Sequence, residues 1–230
     1  MNTNEKIRIE VHGDLQFAVR GEFDSSVCQE VAVKRCYERP RLGFVVRDGE
    51  TWLDCGANIG AFAIWAERRR KARVFAYEAC EENATLARQN IALNQCCSVV
   101  QTGFITARSG GVTSVNFNQR TPARSSAKAQ GIQRFVRNMS LAEEIAKHSP
   151  QGLKIDIEGG EFALLDAGIP LQGLRAMAIE YHFRFDKDCE KARMRIAPLI
   201  AHFRHNSIPK TVFTHDTWPA WQDAILFFWS

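Results

Sequence analysis

From Thr51 to Phe104 short apolar runs alternate with helical patterns. TWLDC leads into Gly56-Ala57-Asn58-Ile59-Gly60, after which Ile59, Phe62, Ala63 and Ala66 recur at helical spacing. Arg68-Arg69-Arg70-Lys71 closes that helix, where positive charge complements the dipole. ARVFAYE reads as a buried strand, Glu81-Glu82 opens a helix reaching Asn94, and SVVQTGF is the next strand. Strands joined through helices lie parallel, with right-handed crossovers, so this stretch restricts the fold to α/β with a mainly parallel sheet.

The flanks extend that frame. Residues 6–20 alternate polar and apolar around Gly13-Asp14 and predict a β-hairpin. A helix is expected over 24–38, ending at Arg39-Pro40 because the residue before proline avoids helix. Later, Ser140-Leu141-Ala142-Glu143 has capping-box spacing, GLKIDIE is a strand, EFALLDAG a short helix and LRAMAIEYH a strand. A long helix follows over about 187–205, with Pro198 expected to kink it, then strands at 208–214 and 224–229. The expected organisation is an N-terminal hairpin and helix (1–40) ahead of one α/β domain (41–230).

Residues 105–139 break the rhythm. VTSVNF (112–117) reads as one short strand and the rest as a long polar loop. The segment holds Arg108, Arg120, Arg124, Lys128, Arg134 and Arg137 and no acid, more positive charge than the +4 of the whole 230-residue chain. It is expected to be either a solvated loop or a lid that meets an anionic group, nucleic acid included.

Composition narrows the class. At 45% hydrophobic and 24% charged residues the chain is globular, and no apolar run reaches the ~20 residues of a membrane span. MNTNEKIRIEVH lacks the apolar core of a secretory signal. Seven cysteines, an odd number without metal-site spacing, read as reduced thiols, so the expected location is cytoplasmic and no structural zinc is expected.

In an open parallel sheet, ligands bind beyond the strand ends where the topology switches. Asp54 ends the first such strand, and Gly56 and Gly60 frame the turn into the helix. The spacing is GxxxG behind an acid, not the GxGxxG of a nicotinamide site, and an acid there repels a pyrophosphate while suiting a cationic amine. Glu78 ends the next strand, where a carboxylate can accept both hydroxyls of a ribose. A nucleoside with a cationic amino-acid tail matches S-adenosyl-L-methionine.

WLDCGANIGAF, VFAYE and LKIDIEGGE together resemble the signatures of FkbM-family S-adenosylmethionine-dependent methyltransferases, over roughly residues 45–183. The resemblance implies a Rossmann-like class I methyltransferase fold, a seven-stranded, mostly parallel sheet ending in an antiparallel strand pair. It also implies that Asp54 with Gly56, Ala57, Asn58 and Gly60 holds the methionine part and Glu78 the ribose. Ala79 and the strand end with Gly103 and Phe104 would border the adenine, and Asp156 and Glu158 would face the methyl group. The family often has proline after the ribose acid; here Ala79-Cys80 follow Glu78.

A hydroxyl acceptor needs a base, and Asp156, Glu158, Glu180 and His182 are the candidates, His182 for its ordinary pKa. Glu161 is read as a helix-dipole acid. Asp156, Glu158 and His182 also offer oxygen and nitrogen ligands for a divalent metal, but the site is expected to work without one. The acceptor is expected to be a hydroxyl on a sugar, nucleotide-sugar or secondary metabolite, with RNA or DNA as the alternative. Trp218 and Trp221 could stack on a sugar or base. A non-catalytic module that kept the nucleoside pocket is the competing class.

Overall fold

The computed structural model describes residues 7–117, 132–185, 188–212 and 221–230. In chain order the elements are β1 (Arg8–His12), β2 (Leu15–Val19), α1 (Glu22–Cys28), β3 (Thr51–Cys55), α2 (Ala61–Arg70), β4 (Arg73–Glu78), α3 (Glu81–Leu93), β5 (Val99–Thr102) and β6 (Phe104–Thr106). They continue with β7 (Val112–Phe117), β8 (Ile132–Ser140), α4 (Leu141–His148), β9 (Gly152–Ile155), α5 (Glu161–Ala167), β10 (Ala176–Tyr181), α6 (Cys189–His202), β11 (Arg204–Val212) and β12 (Trp221–Trp229).

Seven strands form the central sheet in the order β11-β12-β10-β9-β3-β4-β5. The five strands from β5 to β10 run parallel, and β12 is antiparallel to both β10 and β11. Leaving β3, the chain builds outward through β4 and β5, then returns to place β9 on the other side. That reversal opens a crevice at the carboxyl ends of β3 and β9.

Strand alternation sends side chains to two cores. Trp52, Ala176, Ala178 and Phe227 pack with Phe62 and Trp65 of α2 and with Leu15 and Phe17 of the hairpin. Leu53, Met177, Ile179 and Phe228 pack on the opposite face with Ile145, Leu164 and Leu199 of α4, α5 and α6. The N-terminal hairpin therefore shares a core with the sheet. Asn90 of α3 and Asn94, which caps it, tie the hairpin down through Ala18 and Gln16 backbone.

Several expectations are corrected. The first helix covers only 22–28 and a wide π turn, Gln29–Val33; Arg35 takes left-handed backbone (φ 53°) and stops it before Pro40. Helix α6 is one continuous helix, so Pro198 does not split it. The stretch read as a long loop contains β8, which pairs with β6 and β7 in a separate three-stranded sheet. Sequence reading missed β8 because this sheet buries little, Val115 and Val136 against Cys80, while Phe135 and Arg137 face outward. Arg120, Arg124, Lys128 and Trp218 lie outside the described residues.

Candidate active site

The two motifs 100 residues apart meet because β3 and β9 are neighbours. Their register places Asp54 beside Lys154. Lys154 Nζ donates to Asp54 Oδ1 at 2.8 Å and to the Gly56 carbonyl at 3.0 Å, and its ammonium lies over the Tyr37 ring. Burial alone would lower the lysine, but Asp54, Asp156 and Glu180 hold it above its ordinary value, while burial raises Asp54 against the pull of Lys154.

The turn after β3 is built for close approach. A Cβ on Gly56 would stand 1.7 Å from the Asp156 carbonyl oxygen, with φ at +88°. Gly60 has φ +84° and packs against Ala87 of α3. Gly56→Ala is expected to lower the melting temperature and abolish cofactor binding, because backbone must move backbone. Gly49→Ala, with similar φ (+77°) but open space around it, should show only the conformational cost of about 1–2 kcal/mol in the same melt.

A cleft of about 310 Å³ opens at these strand ends, within the ~300–1,000 Å³ usual for small-molecule sites. Gly56, Ala57 and Asn58 form its floor, and Glu78, Ala79, Gly103, Phe104 and Val115 one end. Asp156, Glu158 and Glu180 line the other wall. Val27, Glu30 and Tyr37 cover it from the N-terminal segment, a contribution the sequence reading did not assign.

Glu78 is fixed where the sequence placed it. Its two oxygens accept from Asn58 N–H and Cys80 N–H, each at 2.8 Å. Burial pushes its carboxyl up to about 7 against those two donors. Asp54 is wholly buried, with Oδ1 accepting from Lys154. Two acceptors, Asp54 Oδ2 and Asn58 Oδ1, are buried with no hydrogen-bond partner among the described residues. Such an acceptor-rich floor fits an ammonium group, and the glycine turn leaves room for a ligand against the backbone.

His182 lies with the candidate acids. It is 1% exposed, and its Nδ1 lies 2.9 Å from Glu161 Oε1, which also accepts from the His182 backbone. Glu161 is itself fully buried, so its role is to orient His182 as well as to start α5. Nε2 faces Glu158, Glu180 and Asp156 at 3.5, 3.6 and 3.9 Å. Burial would lower the imidazole, but these acids, Glu161 foremost, raise it to about 10. Tyr37 donates to Asp156 Oδ2 at 3.0 Å; burial, then Asp156 and Glu180, keep the phenol protonated.

Comparisons with known proteins agree with this fold. M. jannaschii TYW2 in complex with AdoMet superposes with a TM-score of 0.53 at 13% identity, covering 100% of this chain and 90% of that one. P. horikoshii TYW2 in complex with MeSAdo gives 0.51 at 12% identity, covering 97% and 71%. The Pyrococcus abyssi tRNA (uracil-54, C5)-methyltransferase with S-adenosyl-L-homocysteine gives 0.50 at 13%, covering 96% and 43%. At such identities the likeness is one of fold. No curated protein sequence matches the chain. The family model described as "Methyltransferase FkbM domain" matches residues 54–213, from the Asp54 strand end through β11. The chain thus belongs to the FkbM methyltransferase family and is an S-adenosylmethionine-dependent methyltransferase.

Proposed function

We propose that the enzyme methylates a hydroxyl oxygen of a small acceptor, such as a sugar, nucleotide-sugar or secondary metabolite. The observation that carries this reading is the wall of Asp156, Glu158 and Glu180 opposite Glu78 in one cleft. In this assignment Glu78 accepts from the ribose hydroxyls, while Ala79, Gly103 and Phe104 flank the adenine. Gly56 to Gly60, with Asp156 beside them, hold the amino-acid tail. Asp54 holds Lys154 through Oδ1, and its second oxygen is left for the ammonium of the tail.

S-adenosylmethionine supplies a methyl group already activated on a sulfonium. What the chain adds is orientation, worth up to ~7–11 kcal/mol, and a proton acceptor. The acceptor oxygen forms its bond to the methyl carbon as the carbon–sulfur bond breaks, and the hydroxyl proton passes to Glu180. Tyr37 donates to both Asp156 and Glu180, at 3.0 and 3.4 Å, and Glu180, the more weakly held of the two, is assigned as the base. Glu180→Gln is expected to lower kcat by ~10²–10⁴-fold with little change in S-adenosylhomocysteine affinity. Turnover with a radiolabelled methyl donor and fractionated extract tests the reaction class. Label recovered as an O-methyl group supports it, and label on nitrogen or carbon, or none with the folded protein, defeats it.

Binding should also depend on pH. A carboxylate at Glu78 accepts from both ribose hydroxyls, whereas the protonated acid sets an O–H donor among them; its folded pKa is about 7, above the ordinary 4.5. S-adenosylhomocysteine affinity should therefore fall as pH drops through 7, by up to about tenfold between pH 8 and 6. In the free protein the sign is opposite. A raised carboxyl favours the folded state at low pH, and that contribution is lost as pH rises from 4.5 through 7. Calorimetry at several pH values reads the first effect, and Glu78→Gln should flatten it.

The second reading, methylation of RNA or DNA, draws on the six basic residues of 105–139. Arg134 is neutralised by Glu82, while Arg108 and Arg137 are exposed. The acidic acceptor wall favours a hydroxyl over a phosphate at the point of transfer. Salt-dependent RNA or DNA binding, lost when Arg108 and Arg137 become alanine, would favour this second reading.

A further inference from the structure

We infer that Asp156, Glu158 and His182 form a binding site for one divalent metal ion, with Mn²⁺ the best match. One ligand atom from each lies within 4.8 Å of the other two, the spacing a single ion can span. The carboxylates of Asp156 and Glu158 line the cleft, and His182 lies buried behind them. An ion there would close the gap between the acceptor wall and the imidazole.

The second observation is how the ring is held. Nδ1 is tied to the fully buried Glu161, which fixes the ring plane and turns Nε2 toward the carboxylates. A histidine whose rear nitrogen is bonded to a carboxylate is the arrangement that orients metal-ligating imidazoles and raises their basicity. Tyr37 orients the second ligand in the same way. It donates to Asp156 Oδ2 and leaves Oδ1 on the His182 side. Glu158 is carried on left-handed backbone at φ 52°, an unfavourable conformation for a side chain of its kind that the turn into α5 nonetheless keeps. A proton on Nε2 and a metal ion are alternative occupants of this spot, since either offsets the carboxylates around it.

The donor set selects the ion. Two carboxylates suit Mg²⁺, Ca²⁺ and Mn²⁺, while an imidazole nitrogen favours a first-row metal, and Mn²⁺ satisfies both. Three protein ligands leave positions for the acceptor hydroxyl and water. The ion's role in orienting that hydroxyl rests on the methyl-transfer reading above, whereas the site itself does not.

The test is titration of the full-length chain with MnCl₂ in the absence of cofactor, following free Mn²⁺ by its electron paramagnetic resonance signal. One ion per chain is expected. Glu158→Gln should weaken binding at least tenfold, and Glu161→Gln, which touches no ion, by ~10–100-fold. Glu158 is partly exposed, so its variant should fold even if the Glu161 variant does not. A wild type that is folded by circular dichroism yet leaves the Mn²⁺ signal undiminished overturns the proposal, as does unchanged affinity in Glu158→Gln. S-adenosylhomocysteine calorimetry on the same sample separates the two readings. Cofactor binding without Mn²⁺ binding removes the metal site and leaves the methyltransferase.

Discussion

Glu78→Ala is expected to weaken S-adenosylhomocysteine binding by about 10²–10⁴-fold in calorimetry. The carboxylate accounts for two ribose hydrogen bonds, and bonds to a charged group are worth ~1.5–3 kcal/mol each. It also pins the turn, since Asn58 N–H and Cys80 N–H both donate to it. Alanine leaves those two donors without their acceptor and loosens the floor of the cleft. Glu78→Gln is a sharper probe. Its amide must set an N–H against one of the two backbone N–H groups, so it should also bind poorly although its volume is unchanged. A loss below threefold in either variant would mean that the ribose lies elsewhere.

Lys154→Met should produce the largest fall in stability. Asp54 and Lys154 are both almost wholly buried and pair at 2.8 Å. Removing one partner of a buried pair leaves the other charge uncompensated, at a cost of ~3–5 kcal/mol. In a chain of this size that is a drop of roughly 6–20 °C in melting temperature. The double variant Asp54→Asn/Lys154→Met should recover much of the loss, because the uncompensated charge is gone. If the single variant melts within 2 °C of wild type, the pair is not charged in the folded protein.

The sequence revealed the site wherever chemistry and backbone coincide. Gly56 and Gly60 were legible because only glycine suits those positive φ angles beside the Asp156 carbonyl and Ala87. Glu78 was legible because it ends a strand beside the switch point. Lys154 was not read as the partner of Asp54, although a signal was present. GLKI is buried throughout, and a lysine in a buried strand requires a counter-charge, which the neighbouring strand supplies. Tyr37 could not be read, since its bond to Asp156 spans 119 residues and depends on how the N-terminal segment folds over the cleft. Glu161 looked like a dipole acid because helix position alone explains an acid there. Its bond to His182 exists only once β10 and α5 are set side by side. Strand β8 stayed hidden because a three-stranded sheet with one small core needs few apolar residues.

The central claim is that one cleft, at the carboxyl ends of β3, β4 and β9, holds the methyl donor with its ribose on Glu78. The most direct measurement is a crystal structure of the chain with S-adenosylhomocysteine. The account predicts both ribose hydroxyls within hydrogen-bond distance of Glu78 and the amino-acid tail over Gly56–Gly60, next to Asp156. A ligand bound elsewhere, or in this cleft without contact to Glu78, would contradict it.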